Sequence, residues 1–139
     1  MLDRFLDSIQ FQGQALQLRA DRQKVLAGNI ANADTPGFKS RDFNFARELQ
    51  QATERDVADP SRLAPVAAQT GHLALAGSAA PGTDPKLQYR LPEQASIDGN
   101  TVELDRERAN FADNSVRYEA TLRFINGGVR TMLSAIRGE

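Results

Sequence analysis

With 139 residues, 18 acidic against 17 basic side chains and no cysteine, the chain has room for one small domain. Near-neutral charge leaves no field to gather nucleic acid or an anionic membrane, and missing thiols exclude disulfides, thiolate metal sites and cysteine nucleophiles. Hydrophobic residues make up 40% but aromatic ones only 6%, so alanine carries much of the apolar content and a large core is not to be expected.

The opening stretch, MLDRFLDSIQ, lacks a basic segment followed by a continuous apolar run, so no cleaved secretory signal is expected. No run approaches the ~20 apolar residues that span a bilayer, so no direct membrane span is expected either. From Leu2 to Ala33 the spacing of Phe5, Ile9, Leu16, Leu26 and Ile30 fits one face of a long helix. A second stripe, Phe11, Ala15, Leu18 and Val25, lies partly round the cylinder. A helix packing against one partner needs a narrower seam, so this one is patterned for several neighbours.

Residues 34–99 hold all six prolines and form a different compositional block. Asp42-Phe43-Asn44-Phe45 alternates like a short strand, Phe45–Thr53 fits a short helix, and Leu87–Leu91 fits another strand. Pro65–Ala80 is alanine-rich and weakly patterned, and SAAPGTDP at 78–85 is loop chemistry. The expectation is a small irregular region with some disorder.

Residues 100–139 read as a second long helix. Leu104, Phe111, Tyr118, Leu122, Ile125, Val129, Met132 and Ile136 keep an a/d heptad register in which Arg108 and Ser115 are the polar entries. Asp113–Arg117 and Glu119–Arg123 are acid-first i,i+4 pairs. Asp98-Gly99 reads as a turn, and Asn100 with Glu103 resembles a capping box. The fold class is therefore mainly α. Two long terminal helices, 1–33 and 100–139, pair as an antiparallel coiled coil and are joined by a short irregular middle, 34–99, with minor β structure.

Catalysis finds no support. His72 is the only histidine, and Glu103, Asp105 and Glu107 read as an ordinary solvated helix face. No glycine-rich phosphate loop follows a strand, and Arg106, Arg108, Arg117 and Arg123 interleave with acids, so no cofactor, metal or nucleic acid is expected. Gly13, Gly28, Gly127 and Gly128 each cost an exposed helix about 1 kcal/mol relative to alanine, so neither helix is stable alone. Pairing the two as a hairpin leaves a second apolar stripe uncovered, which marks an interface. The expected assembly residues are Phe5, Ile9, Leu16, Leu26, Ile30, Phe111, Tyr118, Leu122, Ile125, Val129, Met132 and Ile136.

The first helix runs into NIANADTPGF, residues 29–38. Pro36-Gly37 fits the centre of a type II turn with glycine at positive φ, Asn29 and Asn32 can cap freed helix carbonyls, and Phe38 follows as an anchor. The pattern Asn29, Asn32, Thr35, Pro36, Gly37, Phe38 resembles the N-terminal signature of bacterial flagellar rod, hook and related axial proteins, Phe38 standing where tyrosine is common. RADRQKVLAGNIANADTPGFKSRDFNF and, later, DGNTVELDRERANFADNSVRYEATLRFING are similar to the proximal-rod members in the same order. The short middle fits a rod subunit rather than a hook protein.

That resemblance implies a structural subunit with no enzymatic activity, exported without a cleaved signal by the flagellar type III export apparatus. It implies terminal helices that order on stacking helically around a channel, and a rod that transmits torque. The implied partners are other copies, other flagellar rod proteins, and the MS ring with its adaptor FliE. From the residues alone, a soluble cytoplasmic helical adaptor or export chaperone would use the same heptads.

Overall fold

The computed structural model describes residues 2–58, 85–94 and 96–138, of which 2–4 and 55–58 are described by backbone alone. His72, the alanine-rich stretch 65–80 and the loop residues 78–84 lie outside the described residues. The elements in chain order are α1 (Leu2–Ala31), β1 (Arg41–Asp42), α2 (Phe45–Ala58), β2 (Gln88–Tyr89) and α3 (Leu104–Arg137).

At ~1.5 Å per residue, α1 and α3 are about 45 and 50 Å long. They pack antiparallel. Phe5 lies over Gly128, Asn114 donates to the Arg19 carbonyl, and Asn29 meets Glu107, so contacts climb one helix as they descend the other. Mainly α with a paired terminal hairpin is the architecture the heptads predict. Among the described residues the buried hydrophobic ones are few: Ala15, Leu18, Leu26 and Phe43.

The seam on α3 differs from the expected register. Its shielded positions include 104, 107, 111, 114, 118, 121, 125, 128 and 132, in alternating steps of three and four, with 110, 115, 120 and 122 half-buried beside them. Glu107 and Gly128 therefore take the places expected for Arg108 and Val129, while Asn114 and Thr121 share the seam with the half-buried Ser115 and Leu122. Arg108 and Val129 are exposed, as is Ile136 at 72%. Apolar side chains one step round the helix fit a heptad equally well on paper. Glu107 and Asn114 win an inner place because they find partners on α1 and beyond it.

The middle is shorter in strand and longer in helix than its alternation suggests. Strand β1 stops at Asp42, because Asn44 accepts the Arg47 N–H through Oδ1 at 3.1 Å and so caps α2. The two strands pair antiparallel, Arg41 opposite Tyr89 and Asp42 opposite Gln88. Phe43 enters the core with 4% exposure, so the middle supplies burial that its composition does not promise.

The expected capping box does not form. Residues 101–103 are non-helical, Glu103 occupies the N-cap of α3 without a side-chain cap bond, and its carboxylate instead accepts the Glu93 N–H at 2.6 Å. At the other end Gly138, with φ 75°, closes α3 by donating to the Ser134 carbonyl at 3.0 Å.

Candidate functional site

Where α1 ends, the turn motif folds back on the segment preceding α3. Phe38 N–H donates to the Thr35 carbonyl at 3.2 Å, and Gly37 has φ 72°, the positive value that the third residue of a type II turn requires. Asn32 caps the helix as expected, Nδ2 donating to the Gly28 carbonyl at 2.8 Å.

Asn29 does not cap. Its Nδ2 donates to the Arg41 carbonyl at 2.7 Å and to Glu107 Oε2 at 3.1 Å, while its Oδ1 accepts the Arg41 N–H at 3.2 Å. One amide thereby satisfies both backbone groups of a strand residue and reaches α3. Leaving these groups unpaired in a buried place would cost about 1–3 kcal/mol each.

From the far side, Asn100 completes the clamp. Its Nδ2 lies 3.1, 2.6 and 3.1 Å from the carbonyls of Asn32, Ala33 and Thr35, the acceptors released where α1 stops. Gly37 N–H donates to the Asp98 carbonyl at 2.9 Å and Thr101 N–H to the Phe38 carbonyl at 3.0 Å. Ser40, fully buried, donates its N–H to Thr101 Oγ1 at 2.8 Å and its hydroxyl to the Thr101 carbonyl at 3.0 Å. The two stretches that carry the family resemblance are thus halves of one joint.

Beneath it runs a chain of alternating charges. Arg22 meets Asp42 through two hydrogen bonds, at 3.1 and 2.8 Å; Arg90 bridges Asp42 at 2.5 Å and Glu107 at 2.7 Å. Glu107 is 1% exposed, so the expectation of a solvated acidic face is corrected at this residue. A buried carboxylate is tolerable because its two oxygens are taken by Arg90 and Asn29. The hydrogen bond to Asp42 raises Arg22 above the ordinary arginine value. Burial, followed by the charge of Arg117, lowers Arg19, whose guanidinium lies 4.5 Å from the centre of the Phe45 ring.

The remaining motif residues are peripheral: Thr35, Pro36 and Gly37 are exposed and Phe38 is half-buried. Among the expected assembly residues, Leu26 is fully buried inside the chain. Phe5, Ile9, Leu16, Ile30, Phe111, Tyr118, Leu122, Ile125 and Met132 are half-buried, and Val129 and Ile136 face solvent. Arg22, Ser40, Asp42, Arg90, Asn100, Thr101, Glu107 and Asn114 were not singled out for this site by the sequence pattern. Among the described residues no group of carboxylates or imidazoles is arranged to hold a metal ion.

The arrangement is a joint of polar bonds at the base of a helical hairpin. A family profile described as "Flagella basal body rod protein" matches residues 9–39, which is most of α1 together with the turn. The chain belongs to the flagellar basal body rod proteins.

Within that class, flagellar basal body rod protein FlgB of Escherichia coli strain K12 is 44% identical over 137 residues, 99% of this chain and 98% of the relative. FlgB of Salmonella typhimurium is 43% identical over 138 residues, 99% of each chain. FlgB of Cereibacter sphaeroides is 38% identical over 135 residues, 97% of this chain and 98% of the relative. The family is that of FlgB.

Proposed function

We propose that the chain is a structural, non-enzymatic subunit of the flagellar basal-body rod and occupies its proximal part. Residues 1–33 and 100–139 act as one helical core, and the joint at Asn29–Phe38 sets where the middle, 34–99, leaves it. Subunits stack helically with other copies and other rod proteins, enclose the export channel and transmit torque. The MS ring with its adaptor FliE lies on one side, and the chain reaches its place through the type III export apparatus without a cleaved signal.

The observation that carries this reading is the coincidence of the family-matched stretch with a rigid joint, in a chain whose far helical end remains uncovered. A joint of this kind passes load from the middle to the helices without needing a large apolar core. The assembly residues of this reading are the half-buried and exposed members of the two stripes, led by Val129 and Ile136.

Two experiments test it. The chain should co-purify with detergent-extracted basal bodies, whereas a soluble adaptor or export chaperone would stay in the cytoplasmic fraction. Val129→Asp or Ile136→Asp should abolish swimming with expression intact, since both side chains are exposed in the single chain. Normal motility in both strains would remove the reading's interface.

A further inference from the structure

Two overlapping stripes run down α3. Both use positions 104, 111, 118, 125 and 132, and they differ in what stands between. The inner stripe, turned toward α1, continues through Glu107, Asn114, Thr121 and Gly128. The outer one continues through Ser115 and Leu122, half-buried at the margin of the seam, and on to the exposed Val129 and Ile136. Neighbouring residues point ~100° apart round a helix, so a roll of up to about 50° would exchange the two stripes.

Beyond Asn114 the apolar content favours the outer stripe. Leu122, Val129 and Ile136 compete with Thr121, whose hydroxyl bonds the Arg117 carbonyl of its own helix at 2.8 Å, and with Gly128, which brings no side chain. Burial of apolar surface alone would turn α3 the other way. Asn114 opposes that turn. It is 1% exposed, and its Nδ2 donates to the Arg19 carbonyl at 2.9 Å and to Gln23 Oε1. Gln23 in turn donates to Ser115 Oγ at 2.7 Å, which holds the serine at the edge of the seam. This layer is not the most stable filling of the space. Asn114 Oδ1 is buried with no hydrogen-bond partner among the described residues, a cost that an apolar side chain avoids. A buried asparagine kept in a helix seam at the expense of stability is a device for alignment.

We propose that Asn114 is a positioning residue that fixes the rotation of the C-terminal half of α3, and so decides which apolar side chains stay outside. Its hydrogen bonds to Arg19 and Gln23 form only while position 114 faces α1, and a roll that buried Val129 would carry the amide away from both. Axial register is already held at the base by Asn29 and Glu107, so rotation is the freedom left to fix. The proposal concerns the single chain and is independent of the rod reading.

Because the chain has no cysteine, single thiols report the rotation in the purified full-length protein. The thiol of Val129→Cys should alkylate several-fold faster than that of Gly128→Cys, where the new side chain meets the Phe5 ring. Adding Asn114→Leu should move the two rates in opposite directions, slower at position 129 and faster at 128. Fraying of the helix would instead speed both. Exchanging the neighbours, Asn114→Ser with Ser115→Asn, should make 128 the faster site, and this variant decides if Asn114→Leu does not fold. Equal rates in the chain with asparagine in place, rates that rise together, or a ratio that neither change moves would overturn the proposal.

Discussion

At the base of the hairpin the buried side chains are Asn29, Ser40, Asn100 and Glu107 together with Leu26 and Phe43, and hydrogen bonds satisfy the polar ones. At the far end Leu6, Val129, Leu133 and Ile136 are exposed by 41–72%. The base is specified by direction, because hydrogen bonds tolerate little misplacement. The far end is greasy and undirected, so its final packing depends on what is brought to it. One region holds an angle; the other supplies adhesion.

The sharpest way to break that contrast is at Glu107. Glu107→Ala strands Arg90 and Asn29 beside Asp42, and removal of one partner from a buried ion pair costs about 3–5 kcal/mol, read as a lowered denaturation midpoint of the purified chain. A loss below about 1 kcal/mol would show that the charge chain is incidental. Asn100→Ala takes the side-chain donor from the Ala33 carbonyl and a second donor from those of Asn32 and Thr35, and should cost about 2 kcal/mol by the same measurement. The far end should respond with the opposite sign. In Gly128→Ala the new methyl would sit 3.6 Å from the Phe5 ring, an ordinary contact, and helix propensity should add about 1 kcal/mol of stability. Destabilisation there would mean that the two helices lie closer than described.

The smallest effect is electrostatic. Asp98 titrates below the ordinary carboxylate range, chiefly because the Ser96 hydroxyl and then the Asn100 N–H bind its charged form; Glu103 does so because of the Glu93 N–H and then Arg106. A folded pKa below the unfolded one gives stability that is complete above the unfolded value and lost as pH falls through the folded value. The Glu93 and Asn100 amide resonances should therefore stay constant near neutrality and move only as pH drops below about 4. Movement near pH 6 would contradict the assignment.

The helices, the turn at Pro36-Gly37 and the short strands were legible because each depends on residues near one another in sequence. The joint was not, since Asn29 meets Glu107 across 78 positions and Ser40 meets Thr101 across 61. Part of the seam was misplaced by one residue for the same reason. Glu107 and Asn114 look like surface residues until Arg90, Asn29 and Gln23 stand opposite them. The family signature falls within the first half of the joint without revealing that its partner is the segment before α3.

The grip of Asn29 on Arg41 has one more effect. An outer strand of a small sheet normally offers a bare row of donors and acceptors on which a stray extended chain can add itself. Here a single carboxamide occupies that row at Arg41, so on that side the sheet cannot recruit a further strand. The chain thereby carries its own guard on that edge against pairing with the wrong strand.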